Sequence, residues 1–275
     1  MRYGFVIRNS GLDAIPNLKD LPEVVEDLGF DSLWLTDHVI GARHYAPVYE
    51  PEWAEIVTGL AYLAARTSRV RLGTGVLVPP YRDPVLTAKM ISTIDNLSDG
   101  RVILGVGAGW SKVEYSALGR FGFFEARGAV TDESIEVMRR CWEGGEFDWN
   151  GTHFTFRNMT FGPVPVQGRL PIWVGGQSGP ALRRAARYGD TWHPSGITAE
   201  EMSTLGAKLD EIAGRPVPRT LRVNITGEEV DRAADFFAPY EAAGCQEAAI
   251  AFRQEPYTYE VQLELLRKLA ARLIA

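Results

Sequence analysis

An acidic side chain and an imidazole stand next to each other in this sequence, directly after a short apolar run. The run is Ser32–Thr36 (SLWLT), and Asp37 and His38 follow it. An imidazole that titrates near neutral pH suits general acid–base catalysis or a polarising hydrogen bond to a substrate. Because neighbouring residues of a strand point to opposite faces, the two side chains need not share one role. The simpler interpretation is a histidine that only caps a loop.

A glycine-rich turn precedes a predicted helix in the second half of the chain. Its residues are Gly175, Gly176, Gln177 and Ser178, and the helix is predicted to begin near Pro180. Free backbone N–H groups and the positive end of a helix dipole bind anions, and the Ser178 hydroxyl can add a hydrogen bond. The turn is therefore a candidate phosphate site, although a tight turn whose serine is only the N-cap has the same pattern.

Glycines also alternate along two apolar runs, so that one face of each run carries no side chains. They are Gly73, Gly75, Gly105, Gly107 and Gly109. A bare face lets a planar ring approach the backbone closely, whereas the alternative is a layer of small residues that serves only packing. Among the seven tryptophans, Trp110 and Trp192 stand where a ligand could stack.

The two glycine runs belong to one strand–helix–strand unit, Arg69–Trp110. Its apolar runs, Val70–Val78 and Val102–Val106, are short and rich in β-branched residues, which is typical of strands buried on both faces. Between them, Asp83 is placed to cap a helix whose first turn holds Pro84. The predicted inward face of that helix comprises Leu86, Met90, Ile91, Ile94 and Leu97.

Strand-like and helix-like segments alternate along the whole chain. Besides the three strands above, strands are predicted at Tyr3–Ile7, Pro171–Val174, Asp190–His193, Leu221–Ile225 and Ala248–Phe252. Helices are predicted to open at Asp20 and to span Val230–Ala243, among others. An extra segment of about residues 111–170 contains a predicted hairpin, Phe147–Gln167, that turns at Asn150-Gly151.

The pattern predicts a single α/β domain over residues 1–275, a (β/α)8 TIM barrel with an insertion between strands 4 and 5. An open doubly wound sheet is the alternative, but the first βα turn lacks the GxGxxG pattern. A TIM barrel gathers its active site at the carboxyl ends of the strands. Beyond the motifs above, the predicted strand ends supply Arg8, Asn9, His193, Asn224 and Arg253.

Composition and charge exclude several functions. The net charge of −6 argues against nucleic acid as a partner, and no run of the sequence is long and apolar enough to span a membrane. The start of the chain lacks the apolar stretch of a secretory signal, so we expect a cytoplasmic protein with Cys141 and Cys245 as buried free thiols. The remaining histidines, His44, His153 and His193, form no metal-ligand pattern, and no GxSxG elbow occurs.

Three stretches resemble the bacterial luciferase-like monooxygenase superfamily: SLWLTDH, the Arg69–Trp110 unit, and PIWVGGQSGPALRRAARYGDTW. The resemblance is strongest over residues 24–118 and 163–194. The TDH strand end and the RLGTGV run are closest to members that use the deazaflavin coenzyme F420 rather than FMN. The resemblance implies a barrel that holds a flavin-type ring over the carboxyl ends of its strands.

The resemblance also implies roles for individual residues. A non-proline cis peptide bond is expected between Gly75 and Val76, after Thr74, where it forms a bulge behind the ring. Asp37 is expected to hydrogen-bond the deazaflavin, and His38 to lie near its reactive carbon. The expected floor of the cleft is Gly107, Ala108 and Gly109, and the expected phosphate site is Gly175, Gly176, Gln177 and Ser178.

One departure from the resemblance concerns the substrate. The F420-dependent sugar-phosphate dehydrogenases of this superfamily carry a catalytic glutamate where this chain has Trp110, which makes glucose 6-phosphate a poor candidate. The loops Val39–Pro51 and Ser111–Arg127 and the predicted hairpin are aromatic and apolar. They favour a hydrophobic or ring-containing substrate.

Our leading hypothesis is an F420-dependent oxidoreductase that transfers a hydride between the deazaflavin and a small organic substrate, with His38 as general acid or base or as a substrate-positioning group. The alternative is an FMN-dependent monooxygenase that uses O2 and reduced flavin. A partner reductase would supply the reduced flavin. A third possibility is a non-catalytic flavin-binding protein, since a fold does not dictate a function. The resemblance also suggests a homodimer.

Overall fold

The computed structural model describes residues 1–41, 52–253 and 258–274, and these contain ten β-strands and eleven α-helices. The strands are β1 (Arg2–Val6), β2 (Ser32–Leu35), β3 (Arg71–Thr74), β4 (Val102–Val106), β5 (Gly145–Asn150), β6 (Thr155–Phe161), β7 (Ile172–Gly175), β8 (Thr191–His193), β9 (Arg219–Ile225) and β10 (Cys245–Phe252). The helices are α1 (Ala14–Asp20), α2 (Pro22–Asp27), α3 (Ile56–Arg66), α4 (Pro84–Leu97), α5 (Lys112–Ala117), α6 (Arg127–Trp142), α7 (Gly179–Tyr188), α8 (Ala199–Ala213), α9 (Gly227–Asp231), α10 (Ala233–Ala242) and α11 (Tyr259–Leu273).

Eight of the strands close into a parallel barrel in the order β1-β10-β9-β8-β7-β4-β3-β2. Because β1 pairs with both β2 and β10, the sheet has no free edge, which excludes the open doubly wound alternative. In the barrel β4 pairs with β7, and the chain between these strands carries α5, α6 and the antiparallel β5–β6 pair. The predicted TIM barrel with an insertion between its fourth and fifth strands is confirmed.

The strand–helix–strand unit of β3, α4 and β4 follows the sequence closely. All five residues of β4 are buried, as expected for a strand with the barrel interior on one face and helices on the other. The Asp83 carboxylate caps α4 by accepting the N–H groups of Val85 and Leu86 at 2.9 and 3.1 Å. Strand β3 is shorter than the predicted Val70–Val78 run because the chain leaves the sheet after Thr74.

The predicted inward face of α4 is partly wrong. Leu86 and Leu97 are 56% and 72% exposed, whereas Thr87 and Asp95 are buried on the barrel side. Asp95 is buried because its carboxylate accepts hydrogen bonds from the side chain and backbone of Gln167, at the end of the inserted segment. A partner distant in sequence therefore turned Asp95 inward, a shift that helical periodicity cannot reveal.

Two predicted helix boundaries also change. Asp20 does not open a helix but ends α1, and α2 begins at Pro22, whose fixed φ suits the first helical turn. The single helix predicted over Val230–Ala243 is instead divided at Arg232 into α9 and α10. None of the described helices is long and apolar enough to cross a bilayer.

The predicted hairpin exists, but its turn differs from the predicted two-residue turn at Asn150-Gly151. Asn150 pairs with Thr155, so residues 151–154 form the connection between β5 and β6. The nearly buried Glu133 of α6 explains the longer loop, because its carboxylate accepts the backbone N–H groups of Thr152, His153 and Phe154 at 2.8–3.1 Å. These bonds supply the partners that a tight turn would otherwise have provided.

Aromatic rings fill the barrel interior below the strand carboxyl ends. The Trp34 ring lies where a Cβ on Gly73 would be, since that atom would fall 2.2 Å from Trp34 Cε3. The centroids of the Trp34 and Trp173 rings lie 5.0 Å apart, and His193 stacks on Trp34 at 4.8 Å. At Gly73 the glycine therefore serves barrel packing, as the simpler interpretation of the glycine runs proposed.

Candidate active site

A cavity of about 870 Å³ opens at the carboxyl ends of the barrel strands. It is lined by ten of the residues predicted for the site: Asp37, His38, Gly75, Val76, Gly107, Ala108, Gly109, Gly175, Gly176 and Ser178. Two predicted residues do not line it. The Thr74 side chain is buried and donates to the Gly105 carbonyl at 2.7 Å, and Gln177 is exposed.

Asp37 is buried at the wall of this cavity and paired with Arg82. Its Oδ1 and Oδ2 accept hydrogen bonds from the two terminal guanidinium nitrogens of Arg82 at 2.8 and 2.6 Å, and Oδ2 also accepts the N–H of Val78 at 2.8 Å. Burial raises the pKa of Asp37, and the Arg82 charge and these hydrogen bonds oppose the rise. The carboxylate thus ties the end of β2 to the chain that follows β3.

His38 is held by a glutamate that the sequence reasoning missed. Its Nδ1 lies 3.2 Å from Oε2 of Glu114, and Glu114 Oε1 accepts the N–H of Val39 at 2.7 Å. The Tyr81 hydroxyl donates to Glu114 Oε2 at 3.1 Å. Burial acts to raise the pKa of Glu114, but the hydrogen bonds from His38, Val39 and Tyr81 outweigh burial and lower it.

Local sequence does mark Glu114, although for a different role. Ser111 followed three residues later by a glutamate is the signature of a helix N-terminus, and Ser111 does cap α5. The Glu114 side chain turns instead toward His38, whose ring centroid also lies 4.4 Å from that of Trp53 and 6.1 Å from that of Trp110. An acid, an imidazole and two indoles therefore meet at the rim of the cavity.

The peptide bond between Gly75 and Val76 is cis, as the resemblance implied. The Val76 side chain occupies the space left by neighbouring glycines: a Cβ on Gly107 would fall 2.6 Å from Val76 Cγ2, and a Cβ on Gly175 would fall 2.9 Å from Val76 Cγ1. These glycines accommodate Val76 rather than leaving a bare strand face. The Val76 side chain thus forms a small apolar bulge on the cavity wall, the Val76 projection.

The turn after β7 presents the N-terminus of α7 to the cavity. Gly176 has a φ of +94°, a conformation that favours glycine, and its carbonyl accepts the indole N–H of Trp192 at 2.8 Å. The Ser178 hydroxyl caps α7 by accepting the N–H of Ala181 at 3.4 Å. Trp192 is fully buried, so the expectation that it could stack on a ligand is wrong, whereas Trp110 is 48% exposed and lines the cavity.

The cavity wall is rich in arginine, although the whole chain has a net charge of −6. Its described lining contains two acidic residues, Asp37 and Glu125, and five arginines: Arg8, Arg127, Arg184, Arg222 and Arg253. Arg184 is oriented by Asp132 and by the Gly128 carbonyl. A local excess of positive charge in a concave site attracts anionic ligands.

The described part of the chain contains no group of three histidine, cysteine, aspartate or glutamate side chains that could hold a metal ion. His44 and most of the Val39–Pro51 loop lie outside the described residues. Cys141 and Cys245 are buried free thiols, as predicted, and burial raises the pKa of both.

Comparison with known proteins identifies the family of this barrel. The sequence profile of the family described as luciferase-like monooxygenase matches residues 3–272. The chain belongs to the luciferase-like monooxygenase family. A 5,10-methylenetetrahydromethanopterin reductase of Archaeoglobus fulgidus is 33% identical to it over 66% of this chain and 51% of the relative. An F420-dependent glucose-6-phosphate dehydrogenase of Amycolatopsis mediterranei is 29% identical over 84% of this chain and 72% of the relative.

Two further similar proteins extend this picture. The pyrimidine monooxygenase RutA of Variovorax paradoxus is 32% identical over 72% of this chain and 55% of that protein. The structure of an F420-dependent secondary alcohol dehydrogenase in complex with an F420–acetone adduct superposes with a TM-score of 0.81 at 17% identity, covering 98% of this chain and 97% of that one. The matches to the archaeal reductase and to RutA each span about half the length of those two proteins.

Proposed function

We propose that this protein is an F420-dependent oxidoreductase that transfers a hydride between the deazaflavin and a small organic substrate. The observation that carries the proposal is the joint placement, in one cavity, of the Val76 projection, the α7 N-terminus and an arginine-rich wall. A ring with a phosphate-bearing tail needs these three features: an apolar rest, backbone N–H donors and positive charge. The relatives whose names specify F420 support the choice of cofactor.

The residues fit such a cofactor in the following way. Gly175, Gly176 and Ser178 would bind its phosphate together with the α7 N-terminus, while Val76, Gly107, Ala108 and Gly109 would support the ring. We assign Asp37 to positioning rather than to direct contact, because both of its oxygens already accept hydrogen bonds from Arg82 and Val78. When bound, F420 supplies a two-electron hydride donor or acceptor.

His38 is the proposed acid–base group. Its Nδ1 faces the Glu114 carboxylate, so proton exchange with a substrate would use the other ring nitrogen, Nε2. The carboxylate stabilises the imidazolium that forms when His38 takes up a proton. Trp53 and Trp110 beside the ring limit the access of water and favour a flat or apolar substrate.

A titration of the purified protein with F420 and with FMN, side by side, tests the proposal. We expect F420 to bind in the micromolar range or tighter, and FMN to bind more weakly. His38→Ala should keep F420 affinity and lose hydride transfer, which separates the proposed catalytic group from a cofactor ligand. Tight FMN binding with no affinity for F420 would overturn the proposal.

FMN-dependent oxygenation is the second candidate, because the family and the RutA match include monooxygenases. Oxygen consumption coupled to substrate turnover with reduced FMN would favour it, since deazaflavins react poorly with O2. In that case a separate reductase would supply the reduced flavin. F420-linked turnover without oxygen uptake would exclude it.

The remaining proposals concern the state of the protein in the cell. We propose that residues 1–275 form one domain, that the protein is cytoplasmic, and that it forms a homodimer. The exposed apolar side chains of Leu86, Leu97, Val164 and Val166 support a dimer, and the Asn96 side chain joins two of these segments by donating to the Val164 carbonyl at 2.8 Å. Sedimentation equilibrium of the wild type and of a Leu97→Glu variant would test the dimer.

A further inference from the structure

A buried histidine at the floor of the cavity has a ring nitrogen that no residue in the described part of the chain satisfies. His193, the last residue of β8, is 2% exposed and lines the cavity. Its Nε2 is buried and has no hydrogen-bond partner among the residues that the structure describes. Buried polar atoms are rarely left in this condition, and the proposed roles of His38 and Glu114 do not involve His193.

The ring of His193 is held rigidly. It stacks on Trp34 with 4.8 Å between centroids and an interplanar angle of 18°, and it lies 5.5 Å from the Trp173 ring. On its other side Nδ1 lies 2.8 Å from the Thr220 hydroxyl oxygen. An imidazole clamped in this way cannot turn Nε2 toward a different partner without losing its stacking.

The second hydrogen bond of Thr220 favours the Nδ1–H tautomer of His193. The Thr220 hydroxyl donates to the Trp192 carbonyl at 3.3 Å, so its one proton is used there and its oxygen accepts from Nδ1–H of His193. Nε2 then presents a lone pair. Burial and the nearby Arg222 charge lower the pKa of His193 to about 3, so the ring stays neutral near pH 7.

The space in front of Nε2 lies beside the cis peptide bond. A Cβ on Gly75 would fall 3.8 Å from Nε2, and Gly75 itself has no side chain to enter that space. A ligand group that enters the space beside Gly75 would therefore approach Nε2. Within residues 1–41, 52–253 and 258–274, no amide or carboxylate bonds to Nε2.

We propose that His193 Nε2 is a recognition group that accepts a hydrogen bond from an N–H or O–H of the ligand at the cavity floor. The donor is either a ring N–H of the cofactor or a hydroxyl of the substrate. This inference rests on the proposed function in one respect: it takes the cofactor and its substrate to be the ligands of the cavity. In either case His193 is a positioning residue, since a nitrogen that stays neutral at working pH does not exchange protons with a substrate.

His193→Phe tests the proposal because it keeps the ring volume and the stacking on Trp34 but removes both nitrogens. Without ligand, the variant should unfold at a urea concentration close to that of the wild type, since it loses the unsatisfied Nε2 together with the hydrogen bond between Nδ1 and Thr220. Its affinity for the cofactor should fall about tenfold, or the KM of the substrate should rise about tenfold. A cofactor effect identifies the ring N–H as the donor, and a substrate effect identifies the hydroxyl.

A matched control and a second measurement keep the test independent of folding. Arg169→Ala alters an exposed arginine that pairs with Asp190, far from the cavity lining, and should change neither affinity. In the wild type, 15N NMR should show the Nδ1–H tautomer of His193 and a shift of the Nε2 resonance when ligand binds. Unchanged affinities in His193→Phe together with an unshifted Nε2 resonance would overturn the proposal. Wild-type binding of FMN alone would overturn only the F420 assignment, because the FMN ring offers an equivalent N–H.

Discussion

His38 and Glu114, 76 positions apart in the sequence, meet at 3.2 Å across the rim of the cavity. The contact joins the end of β2 to the first turn of α5, and Tyr81 reaches the same carboxylate from the segment before α4. Glu114 is almost fully buried, so its charge acts on His38 with little screening by solvent. The pair fixes the orientation of the imidazole before any substrate arrives.

Glu114→Gln should lower kcat/KM by about 10- to 100-fold, the range typical for loss of a group that orients an active residue. The amide can still accept a hydrogen bond but provides no charge to stabilise an imidazolium. F420 affinity, measured by fluorescence titration, should stay unchanged. Tyr81→Phe is the matched control: it removes one hydrogen bond to the same oxygen and should cost less than about tenfold. Equal losses in both variants would contradict a role for the charge.

Arg82→Leu should lower the free energy of unfolding by about 3–5 kcal/mol, because it leaves the buried Asp37 carboxylate without its counter-charge. Asp37→Asn combined with Arg82→Leu should recover part of this loss, since no uncompensated charge remains. Urea unfolding of the wild type, of the single variants Arg82→Leu and Asp37→Asn, and of the double variant completes a double-mutant cycle. Strict additivity of the two single changes would show that the pair is not coupled.

Gly107→Ala should destabilise the protein by about 1–3 kcal/mol, because the new methyl would lie 2.6 Å from Val76 Cγ2. Val76→Ala removes the clashing methyl, so the double variant should be more stable than the Gly107→Ala variant alone. Thermal unfolding measures the coupling. We also expect Val76→Ala by itself to weaken F420 binding, since the ring loses its apolar rest, and a normal affinity in that variant would contradict our placement of the ring.

Glu133→Gln tests the inserted hairpin and has a defined pH dependence. Burial acts to raise the pKa of Glu133, but hydrogen bonds from His153, Trp149 and Phe154 outweigh it and lower the pKa. The stability that this carboxylate contributes is therefore present above its unfolded pKa near 4.3 and is lost as the pH falls through the lower folded value. At pH 7 the variant should lose about 1–3 kcal/mol by urea unfolding, and the difference from wild type should shrink in acid.

Much of the scaffold was predictable because its signals are local. The bounds of β4 and the Asp83 cap of α4 match the prediction to the residue, since an apolar run and a capping carboxylate act over a few positions. The buried face of α4 was not predictable, because Gln167 turns Asp95 inward from 72 positions away. Local patterns do not contain such pairings.

The candidate site divides along the same line. The glycine turn before α7 and the Asp37-His38 strand end were found from sequence because backbone conformation and residue type mark them. Glu114 and Arg82 were missed, since only the closure of the barrel brings each of them to its partner. The unsatisfied Nε2 of His193 could not be predicted either, because whether a buried atom lacks a partner depends on all the residues that fold around it.

The Trp34 ring, seated over Gly73, belongs to a buried cluster with Val6, Ile103, Trp173 and Ala249 beneath the cavity. These side chains close the barrel interior below the cavity, so the cavity is blind at that end. A molecule on the floor of a blind shaft arrives before, and departs after, the molecule seated at its mouth. If one ligand of the proposed reaction lies on this floor and the other above it, Trp34 and Trp173 leave the deeper ligand no exit below, and we expect ordered binding and release.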